Sequence, residues 1–137
     1  KTELEKYPFG FKGFLDNVVV DENTKTLFVN DLKTTNKSIQ DFPDAVSYYR
    51  YDIQATMYIG LAYEKFLKDR PDANEWTVVF TFIVIDKYNQ VYPFQVSKET
   101  LAKWEDEFSH VVIQLDYHYL NRDYSLPYNL AIGNVIL

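Results

Sequence analysis

Asp31 and Lys33 stand two residues apart in NDLKTTNKS, residues 30–38, where an apolar run gives way to a polar one. Residues two apart on a strand point to the same face, so the carboxylate and the ammonium project together. A buried strand has no cheap way to end on two ionisable groups. Such a pair is either an ordinary strand end reaching water or a site. A second acid, Asp16, closes the run GFLD at 13–16, and a hairpin register could bring it beside the other two. Two carboxylates and the backbone carbonyl of Leu32 make an all-oxygen set of the kind that suits Mg²⁺, a hard cation that keeps several of its waters. A cation there polarises a phosphoryl oxygen and acidifies a water. Lys33 would orient that water or stabilise charge developing on the phosphorane. Acid, acid and ammonium together are the equipment for phosphodiester hydrolysis.

These residues need elements to hold them. FGFKGFLDNVVVD at 9–21, with Phe9 and Phe11 alternating, reads as a first strand, DENTK at 21–25 as a polar turn, and TLFVNDLK as a second strand. A five-residue polar link between two apolar runs is hairpin-like. TTNKSIQD is a loop. From Asp44 to about Lys68 the period becomes helical, with Val46, Tyr49, Ile53, Met57 and Leu61 on one face and Pro43 at the entrance. Tyr51, Gln54 and Tyr58 lie on a different face of that helix, Gln54 and Tyr58 being four apart and so neighbours. DRPDANE breaks it.

The run WTVVFTFIVID at 76–86 is continuously apolar and β-branched, which favours a central strand covered on both sides. VYPFQV returns as an edge strand, demoted by Pro93. Ser97 is a candidate N-cap for a last helix whose stripe is Leu101, Trp104, Phe108, Val111, Leu115 and Tyr119. The tail after it is unassigned. The order β-β-α-β-β-α predicts an α/β domain, a mixed sheet with helices packed on it. The chain starts almost directly on a strand, so an upstream helix and a truncated N-terminus are part of the expectation, with 1–137 a single domain.

Here the chain resembles a known family. GFLD, then fourteen residues, then DLKTT, then a helix carrying QATMY, is similar to the PD-(D/E)XK nuclease superfamily. Within it the pattern resembles the RecB-like and RecE-like exonuclease branch, marked by G-x-x-D, D-x-K-T and Q-x-x-x-Y. Gly13 and Asp16 match the first element, Asp31, Leu32, Lys33 and Thr34 the second, and YDIQATMY from Tyr51 to Tyr58 the third. The resemblance implies a restriction-endonuclease-like fold and a metal-dependent DNA nuclease, often an exonuclease of phage or bacterial recombination and repair. It implies Mg²⁺ or Mn²⁺ on Asp16, Asp31 and the Leu32 carbonyl, Lys33 as the catalytic ammonium, and Gln54, Tyr58, Tyr51 and Thr34 as supporting residues. It leaves a homo-oligomer and a recombination partner protein open, and places the protein in the cytoplasm of a bacterial or phage-infected cell. The family usually adds an acid or His from an upstream helix. Glu3 and Glu5 are the only early acids, and neither is assigned to the site.

Bulk properties bound the rest. The chain has 137 residues, long enough for a real core, and 18% aromatic residues, including 12 Tyr and 10 Phe. It has no cysteine, so thiolate chemistry and disulfides are excluded. No run approaches the ~20 apolar residues of a membrane span. The formal charge of −6 is the wrong sign for a general basic nucleic-acid surface. Lys12, Lys37 and Arg50 are the nearby basic residues. His110 and His118 stand away from any acid cluster, the acids at 105–107 read as a solvated helix face, and Trp76 and Trp104 read as core. Two other classes remain: a weak or inactive nuclease-fold module that binds DNA or a recombination partner, and a plain α/β domain. The plain domain requires Gln54 and Tyr58 to point away from Asp31.

Overall fold

The structure, a computed structural model, describes residues 4–133, 135 and 136. Strands β1 (Asn17–Asp21), β2 (Thr26–Thr34), β3 (Thr77–Ile85) and β4 (Val91–Gln95) form one sheet in the order β1-β2-β3-β4. The outer pairs are antiparallel and the β2–β3 pair is parallel. A parallel pair needs a crossover. Helices α1 (Phe42–Tyr48) and α2 (Tyr51–Phe66) supply it, and α3 (Lys98–Asn121) and a single turn α4 (Tyr128–Ala131) follow β4. The mixed α/β architecture with a helix-flanked sheet is the one anticipated, and Pro93 sits on an edge strand.

The hairpin forms because Asp21 organises its turn. Its carboxylate accepts from the backbone of Asn23 and Thr24 and from the Thr24 hydroxyl at 2.8–3.4 Å. Lys25 completes the turn in a left-handed conformation. The next turn is built the same way: Asp86 accepts from the backbone N–H groups of Tyr88 and Gln90, at 2.8 and 2.9 Å. Ser97 caps α3, its hydroxyl accepting from Thr100 N–H at 3.1 Å.

Four expectations are corrected. The first strand begins only at Asn17. Residues 7–16 form an irregular strap, interrupted by Pro8, Gly10 and Gly13, and Phe9 and Phe11 pack with Ile53, Met57, Leu61, Phe108 and Val112 instead of pairing in the sheet. The long helix is two helices, because Arg50 adopts a left-handed conformation, φ 55°, between them. That conformation costs a non-glycine residue roughly 1–2 kcal/mol. The cost is offset where the Arg50 guanidinium meets the Asp52 carboxylate through two hydrogen bonds of 3.1 Å. As a result Tyr49 leaves the expected apolar face and is exposed. On α3 the buried residues are Phe108, which the expected stripe includes, and Val112, four residues on, which it does not, while Val111 and Leu115 face outward.

The fourth concerns β3. Phe80, Phe82 and Val84 are buried under α2 and the start of α3, but the alternate residues Val79, Thr81, Ile83 and Ile85 are only half-buried. Among the described residues the helices lie against one face of the sheet, so the strand is covered on one side. The apolar run predicts two-sided cover because burial of one face plus β-branched propensity on the other produces the same pattern.

Helix α2 is the middle layer. Its small residues Ala55 and Ala62 pack onto the sheet with Leu27, Val29, Phe80 and Phe82, and Ile53, Met57 and Leu61 meet α3 on the other side. Trp76 is buried and Trp104 half-buried against Phe82, so both belong to the core as expected. Among the described residues no helix is long and apolar enough to cross a membrane.

Candidate metal and phosphodiester site

The inward face of β2 runs Leu27, Val29, Asp31, Lys33, and its first three side chains are buried. The apolar row thus ends on the carboxylate, which is 3% exposed. The antiparallel ladder with β1 stops at Asn17–Asn30. One step beyond it, the Asp16 carboxylate takes the place of a strand and accepts the N–H of Leu32 at 2.8 Å. In an extended strand a residue's N–H and C=O point to the same edge. The Leu32 carbonyl therefore faces the side occupied by Asp16.

Lys33 is held from three directions. Its ammonium lies 2.9 Å from Asp31 Oδ2 and donates to Gln54 Oε1 at 2.6 Å, and it stands 4.3 Å from the centre of the Tyr51 ring. Gln54 in turn donates its amide to the Tyr58 hydroxyl at 3.0 Å. Tyr51, Gln54 and Tyr58 are successive residues on the face of α2 that looks at this end of β2. Gln54 and Tyr58 thus do not point away from Asp31, and the plain-domain reading loses its premise.

Burial pushes the Asp31 carboxyl above the ordinary carboxylate range; Lys33 opposes this, and the neighbouring Asp16 adds to it. Its buried Oδ2 has the ion-pair contact with Lys33 but no hydrogen bond of good geometry. A buried carboxylate, a second carboxylate beside it and a backbone carbonyl facing the same edge fit a hard divalent cation. Among the described residues no set of three or more His, Cys, Asp or Glu side chains converges, so such an ion would keep waters for its other positions.

Gly13 has a role that spacing alone did not reveal. A Cβ there would lie 2.9 Å from the Tyr58 ring and 3.2 Å from Leu61. The strap therefore needs a glycine where Tyr58 packs across it, which ties the segment carrying Asp16 to the helix carrying Gln54. Other residues lie apart. Thr34 alternates to the opposite face of β2 and is exposed. Glu5 pairs with Lys68, and Glu3 lies outside the described residues. Arg50 is engaged by Asp52 and reaches Glu107 at 3.9 Å. Lys37 is exposed. Lys12 and Lys65 line an open groove that runs from Asp16 along the second half of α2. His110 lies beside Asp106 on the exposed face of α3, and the ring nitrogen Nδ1 of His118 meets the Asp123 carbonyl at 2.8 Å.

No curated protein matches the chain. A family model does: that of the PD-(D/E)XK nuclease superfamily matches residues 1–125. The match takes in the strap, all four strands, the crossover helices and the whole of α3. The chain belongs to the PD-(D/E)XK nuclease superfamily and carries its nuclease fold.

Proposed function

We propose that the protein is a divalent-metal-dependent DNA nuclease, an exonuclease of the RecB/RecE type working in phage or bacterial recombination or repair, in the cytoplasm of such a cell. The observation that carries the proposal is the convergence of Asp16, Asp31, Lys33 and Gln54 at one end of the sheet. Asp16, Asp31 and the Leu32 carbonyl would hold Mg²⁺ or Mn²⁺. When bound, the ion supplies Lewis acidity toward a phosphoryl oxygen and lowers the pKa of water.

The chain's own residues do the remainder. With a cation held there, Asp31 would share its charge between that cation and Lys33. Gln54 and the Tyr51 ring keep the ammonium in place, so a fixed positive charge faces the phosphorus as negative charge builds on its oxygens. The Tyr58 hydroxyl accepts from Gln54 and so has its own proton free to donate to a substrate phosphate.

The test is end-labelled linear double-stranded DNA beside a covalently closed circle of the same sequence, with Mg²⁺ or Mn²⁺. Degradation of the linear form alone supports the exonuclease. Cutting of the circle makes it an endonuclease. A second reading, a nuclease-fold module that binds DNA or a partner without cutting, is favoured by the lack of a third converging acid or histidine among the described residues. DNA binding with no metal-dependent cleavage of either form would select it.

A further inference from the structure

Two rings stand open to solvent beside this cluster. Tyr48 and Tyr49, at the α1–α2 junction, are 80% and 62% exposed. They meet edge to face, centroids 4.8 Å apart and planes at 84°. Tyr49 also stacks on Tyr51, at 5.5 Å and 22°. Tyr51 is the ring against which the Lys33 ammonium rests. One run of aromatic surface therefore leads from solvent to the catalytic lysine.

The run is backed and braced. Behind Tyr51 lies buried Phe42, stacked at 6.1 Å and 25°, and behind Phe42 the core ring Phe82 at 5.4 Å. The left-handed Arg50, clamped to Asp52, fixes the angle at which Tyr49 leaves the helix. Two neighbouring tyrosines held outward on a braced corner contribute little to the core. What they offer is flat π surface, on which any nucleobase stacks whatever its sequence. Phe14 is more exposed, at 91%, but makes no ring contact among the described residues that would link it to the lysine.

The charge balance points the same way. A chain of net charge −6 has no general basic surface with which to neutralise phosphates. Stacking supplies affinity that does not depend on basic residues. Bases inside a duplex have no free face to offer, whereas unpaired bases do.

We propose that Tyr48 and Tyr49 form a base-stacking platform at the mouth of the site, and that the preferred substrate is a strand with unpaired bases, single-stranded or frayed at its end. The proposal rests on the nuclease reading for where the scissile phosphate lies; the stacking itself needs no catalysis.

The experiment is fluorescence anisotropy of labelled oligonucleotides with Ca²⁺ replacing Mg²⁺ so that binding is read alone. The probes are a short single strand, the same backbone with abasic positions, and a blunt duplex. The single strand should bind tightest, and the abasic strand much more weakly. Tyr49→Ala should weaken single-strand binding by about 5- to 100-fold, while Tyr49→Phe keeps it. Equal binding of the abasic and complete strands, unchanged binding in both Tyr48→Ala and Tyr49→Ala, or no binding of any strand by the wild type would each overturn the platform. Metal-dependent cleavage that is indifferent to these two variants would sink the platform and leave the nuclease. Base-dependent binding without cleavage by the wild type would do the reverse.

Discussion

Lys33 is the residue whose surroundings say most about the chemistry. An ammonium paired only with Asp31 would lose its partner whenever that carboxylate turned to a cation. Gln54 and Tyr51 remove that dependence, the first through a 2.6 Å hydrogen bond and the second through its π face. Lys33→Ala should therefore lower the cleavage rate about 10²–10³-fold, the range for loss of one preorganised charge, with Mn²⁺ affinity by titration calorimetry unchanged. Loss of metal binding instead would make the lysine structural. Asp31 carries the opposite signature, a carboxylate strained by burial. In metal-free protein Asp31→Asn should raise Tm by a few degrees, about 1 kcal/mol or less, and abolish the rise in Tm that Mg²⁺ gives the wild type. A lower Tm in the variant would mean the carboxylate serves the fold. The pair was legible in the sequence because a period of two is local. The Tyr51 contact and the Gln54 bond cross from strand to helix, and no spacing rule reports such distances. Tyr48 and Tyr49 were missed for the same reason, since their exposure depends on a helix break.

At the scale of elements, the hairpin register decides whether there is a site at all. A polar link between two apolar runs announced the hairpin, and the ladder ends one step short of Asp16, which is why Asp16 can cap the Leu32 N–H. The strap and helix are coupled through Gly13, where Tyr58 lies too close for a side chain. Gly13→Ala should cost about 1–3 kcal/mol in urea unfolding by overpacking, and should slow cleavage with it, because Tyr58 must move. Stability within error of wild type would show that the ring yields freely. The corrected α3 stripe has its own test. Val112→Ala should destabilise by about 1–3 kcal/mol and Val111→Ala by less than about 0.5 kcal/mol; the reverse order would restore the stripe read from sequence. That stripe failed by one position because 3.6 residues per turn lets i+3 and i+4 compete, and packing against the strap chose the second. The helix break was hidden because an arginine occupies a conformation that glycine usually announces.

For the whole molecule, acidity shapes behaviour both in acid and at neutral pH. Asp21 and Asp72 are held below the ordinary carboxylate value, by the Thr24 hydroxyl and by Lys25 respectively. A depressed carboxylate stabilises the fold above its unfolded pKa, and that contribution is lost as pH falls through the folded value. Thermal melts from about pH 5 to pH 3 should therefore show a falling Tm whose slope is shallower in Asp72→Asn; an unchanged slope would remove Asp72 from the acid response. At neutral pH the same excess of acid would leave the proposed nucleic-acid binding to a bound cation and to local features rather than to a general basic surface. The class of fold was readable from the order of its elements. The one-sided cover of the sheet was not, since apolar β-branched residues look alike whether a helix lies over them or not. The most direct test of the account is the single-turnover rate of Mg²⁺-dependent DNA cleavage by the wild type and by Asp31→Ala. The account predicts cleavage by the wild type and a fall of at least about 10²-fold in a variant that keeps its fold. Cleavage by Asp31→Ala at the wild-type rate would contradict it.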